Sequence, residues 1–166
     1  MTTREPTVRL RSLAAGEFAA FRIESEAGYA EGIEVHAGQT HEAAQQKAKA
    51  DMAAVLPQGL ETPGHTIFVV EADGVDVGRL WLAERASGGR QVLFIYDISI
   101  IPEWQGHGYG RAAMKLAEEQ ARMRGFGFIE LNVFGGNEVA RNLYRSLGYE
   151  ETSVQMRKNL ASDHRT

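Results

Sequence analysis

The sequence contains no cysteine. That gap excludes disulfides, thiolate nucleophiles and thiolate zinc sites together. No apolar run approaches the roughly 20 residues that a membrane-spanning helix needs. The N-terminal stretch M-T-T-R-E-P-T-V-R-L lacks the apolar core of a secretion leader, so the expected location is the cytoplasm, with no membrane partner. Positive charge is not in surplus either. Lysine and arginine number 18 against 22 acids, for a net charge of −4, which argues against a general grip on nucleic acid. The long-range field instead leans slightly toward positively charged small molecules such as amines. There is no G-x-S-x-G elbow and no H-E-x-x-H pair, and no metal site is expected. Internal repeats, low-complexity segments and linkers are absent.

What is present suits one globular domain over 1–166, since 166 residues bury a core without staples. Thr7 to Leu13 alternates as a first strand, with Val8, Leu10 and Ser12 on one face. Ala14 to His36 reads as helix, broken near Ala30 because Gly28 and Gly32 interrupt it. Thr40 to Leu56 reads as a second helix capped by Thr40. Three strands follow, Thr66 to Ala72, Val77 to Ala83 and Val92 to Ile101. Asp73-Gly74 and Ser87-Gly88-Gly89 are the hairpin signals between them. A helix runs from Gly110 to a stop at Gly125. Phe126 to Phe134 then reads as a strand lying parallel to Val92–Ile101, by the crossover rule. Asn137 to Leu147 reads as a helix and Tyr149 to Lys158 as a last strand, with Val154 and Met156 facing one way. The tail 159–166 reads as disordered. The sum is an α/β protein with a mixed, mostly antiparallel sheet and helices on both faces.

The centre of the chain is D-I-S-I-I-P-E-W-Q-G-H-G-Y-G, Asp97 to Gly110. Pro102 ends the strand, and Gly106, Gly108 and Gly110 carry no Cβ, so a ligand can approach the backbone. Amides at a helix entrance lack intrahelical partners and have the positive end of the dipole behind them, which suits a phosphate. Each hydrogen bond to a charged oxygen is worth roughly 1.5–3 kcal/mol, so a few such donors hold a pyrophosphate. A flexible surface turn is the plainer reading of a lone G-x-G-x-G. A dinucleotide fingerprint fits worse, because Arg111 follows Gly110, and no G-K-[ST] tripeptide completes a P-loop.

Gln105-Gly106-His107-Gly108-Tyr109-Gly110 resembles Q/R-x-x-G-x-G, the pyrophosphate turn of the GNAT superfamily of acetyl-CoA-dependent N-acetyltransferases. N-E-V-A-R-N-L-Y-R-S-L-G-Y, from Asn137, resembles that superfamily's second signature, N-x-x-A-x-x-L-Y-x-x-x-G-F/Y, with Tyr144 as its helical tyrosine. The resemblance covers Val92 to Met156 specifically and the earlier chain only diffusely. It implies a GNAT fold in which two central parallel strands splay apart to admit acyl-CoA. The N-terminal half, about 1–90, would serve the acceptor, and about 91–158 would bind acetyl-CoA. The resemblance places the pantetheine arm on the backbone of Ile98, Ser99 and Ile100. It gives the pyrophosphate to Gln105, Gly106, His107, Gly108, Tyr109 and Gly110, with Arg111 as a flanking cation, and the arm's amides to Asn137. Tyr144 would reach the thioester sulfur. Plain alternatives stand beside these roles: Asn137 as a helix N-cap, Tyr144 as a core aromatic, and Arg111 as a solvated first-turn arginine.

Acetyl transfer from a thioester to an amine needs a held co-substrate, a neutral amine and a stabilised thiolate. A phenol near 10 donating to a thiolate near 8.5 is uphill by about 1.5 units, roughly 2 kcal/mol. Tyr144 therefore stabilises by hydrogen bonding, with late proton transfer, rather than by early acid catalysis. Neutralising an alkylamine at pH 7 costs roughly 4.6 kcal/mol, so a base or water chain is required. Asp97 is the preferred candidate, beside Glu84 and Glu130. Asn132 stands where some family members place a glutamate and cannot act as a base. Glu26, Tyr29, Trp81 and Glu84, with the 59–65 loop, are candidates for the acceptor pocket, and Trp81 is equally a packing residue. A non-catalytic acyl-CoA sensor on the same fold is the alternative, and the sequence leaves monomer and homodimer open.

Overall fold

A computed structural model describes residues 6–161. The chain divides into two compact units, Met1–Asn132 and Val133–Thr166, a boundary that falls inside the stretch expected to bind acetyl-CoA.

The first unit is built on a five-stranded sheet in the order β1-β2-β3-β4-β5, formed by Val8–Ser12, His65–Ala72, Val75–Ser87, Arg90–Ile100 and Ile129–Leu131. The first three pairings are antiparallel and β4–β5 is parallel. Both hairpins turn through two residues whose φ is positive, Asp73 (48°) with Gly74 (83°) and Gly88 (54°) with Gly89 (78°). Two consecutive positive φ values give the turn a twist that matches the strands it joins.

Three helices cover this sheet, α1 over Phe18–Ala37, α2 over His41–Val55 and α3 over Tyr109–Met123. Thr40 caps α2 as expected, its hydroxyl accepting from the Ala43 amide at 3.3 Å. Phe21 of α1 and Met52 of α2 pack with Leu56, Ile67 and Trp81 into one buried cluster on one face. Strand alternation sends Phe68, Val70, Leu80 and Leu82 to the other face. There α3 buries Ala113, Met114, Ala117 and Ala121, and Arg124, just past its end, donates to Thr66 of β2 at 3.2 Å.

Two expectations about this unit are corrected. The break near Ala30 does not occur: α1 runs unbroken through Gly28 and Gly32. A mid-helix glycine costs about 1 kcal/mol, whereas Phe21, Ala30 and Ile33 are all buried along this helix. Strand Phe126–Phe134 shrinks to Ile129–Leu131, which pairs only with Leu93, Phe94 and Ile95. β4 continues to Ile100 with no parallel partner among the described residues.

The second unit holds α4, Glu138–Ser146. Gly148 follows it with φ 89°, and the Tyr149 amide donates to the Tyr144 carbonyl at 3.0 Å. Glu151 accepts from both Arg141 and Arg145, fastening the chain after the helix back onto it. The Arg141 bond is the first cause holding the Glu151 carboxyl below its usual range. The strand expected over Tyr149–Lys158 is not formed. Val154 and Met156 are 66% and 89% exposed, so among the described residues nothing buries the face that the alternation would offer. Of the tail 159–166, residues 162–166 lie outside the described residues.

Candidate active site

Residues after β4 make one 3₁₀ turn, Pro102–Trp104, before α3 begins at Tyr109. Trp104 and Gln105 donate their amides back to Ile101 and Pro102. The Gln105 side chain returns to the Ile100 carbonyl at 2.9 Å, tying the turn to the end of β4. His107 Nδ1 lies 3.1 Å from the Trp104 carbonyl and 3.0 Å from that of Gln105. Its imidazole therefore braces the loop. Gly106 and Gly108 have φ of 79° and 81°, a conformation costing other residues about 1–2 kcal/mol. The backbone amides of Gly106, His107, Gly108, Tyr109 and Gly110 have no protein acceptor among the described residues. Five successive open donors at the positive end of a helix form an anion cradle. Arg111 is exposed in the first turn of α3.

Upstream of the turn, β4 carries a bulge. Trp81 of β3 pairs with Asp97 and Leu82 with Ile95, leaving Tyr96 as the extra residue. Tyr96 and Asp97 consequently face the same side. The Tyr96 ring stacks on Trp81 at 4.7 Å, and Asp97 Oδ2 accepts from Ser25 of α1 at 3.0 Å. The same oxygen accepts from Arg79 Nε at 2.8 Å, while Arg79 Nη1 donates to Glu24 at 2.6 Å. Ile98, Ser99 and Ile100 follow, on the part of β4 without a parallel partner.

The remaining candidates fall into distinct places. Trp81 is 4% exposed, so its ring is core, and its indole N–H donates to His65 Nδ1 at 3.0 Å. That bond leaves the hydrogen of neutral His65 on Nε2, and burial pushes its pKa down. Glu26 is paired with Arg22. Tyr29 donates to Asp51 at 3.1 Å; burial first, and this acceptor second, raise its pKa. Glu84 is exposed, and its backbone amide holds the Gly64 carbonyl at 2.9 Å. Glu130 accepts from Ser87 at 3.2 Å.

In the second unit, Asn137 is the N-cap of α4, its Oδ1 accepting from the Ala140 amide at 3.2 Å. Capping uses only the acceptor end of the amide and leaves the NH₂ as a donor. Tyr144 is half-buried seven residues on, its ring 6.0 Å from that of Tyr149. Seven residues is nearly two turns, so Asn137 and Tyr144 share a helical face.

Sequence reasoning did not single out Arg79, Ser25 or Tyr96, and it reached His65 only as the end of the 59–65 loop. Arg79 left a trace, a charge inside the otherwise apolar G-R-L-W-L run. The bulge left none.

A family model described as "Acetyltransferase (GNAT) family" matches residues 21–149. The uncharacterized N-acetyltransferase YycN of Bacillus subtilis is 35% identical over 156 residues, covering 93% of this chain and 99% of that protein. Its crystal structure superposes with a TM-score of 0.87 at 33% identity, over 93% of this chain and 99% of that one. A second Bacillus subtilis protein, the uncharacterized N-acetyltransferase YdgE, is 30% identical over 91% of this chain and 97% of its own length. The aminoglycoside N-acetyltransferase AAC(6')-Iy, solved in complex with CoA, shares the fold at a TM-score of 0.60 and 17% identity, covering 96% of this chain and 98% of that one.

Proposed function

Because the chain belongs to the GNAT acetyltransferase family, we propose that it transfers an acetyl group from acetyl-CoA to a primary amine by direct attack in a ternary complex. The observation that carries this reading is the run of open amides from Gly106 to Gly110. Successive amide donors at the positive end of a helix suit a pyrophosphate in charge. The stretch of β4 from Ile98 to Ile100 supports it further, since an extended strand without a second partner offers N–H and C=O groups to an amide-bearing arm.

Each residue then has a defined task. The cradle and Gln105 fix the pyrophosphate end, with Arg111 adding positive charge. The Ile98–Ile100 backbone aligns the arm, and the Asn137 NH₂ donates to one of its carbonyls. The Tyr144 hydroxyl donates to the departing sulfur, lowering the cost of its negative charge. The attacking nitrogen forms its bond to the acetyl carbon as the carbon–sulfur bond breaks. It then loses a proton to water or to a carboxylate of the first unit.

Thiol release from acetyl-CoA, measured with aminoglycosides, polyamines, amino acids and peptide N-termini, tests the reading. Release that depends on one of these amines is the expected result. Tight CoA binding with no release for any of them would overturn the enzyme in favour of an acyl-CoA sensor.

A further inference from the structure

The Arg79–Asp97 pair stands between β3, β4 and α1, partly screened from water, with side chains 18% and 21% exposed. Its inner contacts are filled. Arg79 Nε and Ser25 Oγ both serve Asp97 Oδ2, and Arg79 Nη1 serves Glu24. Its outer ones are not. Asp97 Oδ1 has no donor among the described residues, and it is not among the buried atoms that lack partners, so it reaches solvent. Two carboxylates share the one guanidinium, which leaves one negative charge in excess. Arg22 and Glu26, the neighbouring charges on α1, cancel each other.

We infer that the acceptor is a di- or polyamine whose non-reacting ammonium docks on Asp97 Oδ1, with Arg79 and Ser25 as positioning residues that hold the carboxylate. The inference rests on the acetyltransferase reading above and narrows its substrate. Three considerations lead to it. An excess negative charge selects a cation, whereas an acceptor carboxylate would be the third around Arg79. A carboxylate within about 4–6 Å favours the charged form of an amine, which would hinder an attacking nitrogen that must be neutral and suits one that stays charged. Rigid placement comes from Oδ2, whose two donors orient the group without occupying Oδ1.

Calorimetric titration of CoA-saturated protein with 1,4-diaminobutane and with butylamine tests this. The diamine is expected to bind roughly 10–100-fold tighter, the value of one charge-assisted hydrogen bond. Asp97→Asn should abolish that preference while CoA affinity, titrated separately, stays the same. Equal affinity of the two amines for the wild type overturns the inference, as does a preference that survives Asp97→Asn. If the variant does not fold, the two amines on the wild type decide alone. Failure of CoA to bind would instead sink the acetyltransferase reading, and the same amine comparison on unliganded protein would still judge the diamine site.

Discussion

Tyr96 and Asp97 are neighbours in a strand and yet turn their side chains to the same face, one onto Trp81 at 4.7 Å and the other onto Ser25 at 3.0 Å. A regular strand would send them to opposite faces. The bulge at this point, where Trp81 and Leu82 oppose Asp97 and Ile95, is what re-aims them. It lies beside the last position at which β4 pairs with β5. One irregularity thus presents a carboxylate toward α1 and coincides with the end of parallel pairing.

The proposed phosphate cradle depends on backbone shape rather than on space. A Cβ at Gly106 or Gly108 would meet nothing within 4 Å, but both glycines have positive φ. Alanine at either position strains the turn by about 1–2 kcal/mol. Gly108→Ala should therefore weaken CoA binding about 5–30-fold, with kcat at saturating acetyl-CoA little changed. Titration with CoA and initial rates separate the two quantities, and an unaltered Kd would remove Gly108 from the cradle.

Tyr144→Phe deletes only a hydroxyl. If that group stabilises the departing thiolate, kcat falls roughly 10–1,000-fold while CoA affinity hardly moves. Steady-state kinetics beside CoA titration give both numbers. A variant with unchanged kcat would make Tyr144 a packing residue.

Gly78 of β3 has the opposite logic. Its φ is not positive, yet a Cβ there would stand 2.3 Å from the Ser99 carbonyl oxygen and 3.2 Å from the Ile100 Cα. Those atoms belong to the stretch of β4 assigned to the pantetheine arm. Gly78→Ala should destabilise the fold by about 1–3 kcal/mol, the cost of overpacking, and should also raise the KM for acetyl-CoA. Urea midpoints and KM check the two effects, and a variant as stable as wild type would show that β4 shifts freely.

Acid should loosen the first unit through Glu17. Arg11 donates to both of its oxygens at 2.9 Å and the Ala14 amide donates at 2.8 Å. These bonds, that of Arg11 first, push the Glu17 carboxyl down to about 2. An unfolded glutamate titrates near 4.3. Between those values the unfolded chain binds the extra proton, so the stabilisation is present above about pH 4.3 and is lost as pH falls toward 2. Glu17→Gln should show a smaller loss of urea midpoint between pH 5 and pH 3 than wild type does. Equal losses would refute the assignment.

Much of the architecture was legible because local chemistry decided it. Asp73-Gly74 and Gly88-Gly89 adopt the φ values that their residue types favour, and Thr40 caps the helix it precedes. The glycine turn was legible for the same reason. Elements decided by distant partners were not. Gly28 and Gly32 argue for a break that the burial of Ala30 and Ile33 outweighs. The bulge at Tyr96 is a mismatch of count between two strands, invisible in the alternation of either. The pairing of Arg79 with Asp97 and Glu24 emerged only when β3 was set beside β4 and under α1. Tyr149–Lys158 alternates like a strand but joins no ladder among the described residues, and alternation alone does not make a sheet.

The side of β4 turned away from β3, from Tyr96 to Ile100, has no strand partner among the described residues and behaves as an edge inside a sheet. Bare strand edges recruit other chains, so an arm lying along this one would shield as well as position. Amide hydrogens there should exchange with solvent more slowly once CoA is bound, and the liganded protein should resist clumping on storage better than the empty one. Supply of the thioester would then set how long the protein survives as well as how fast it works.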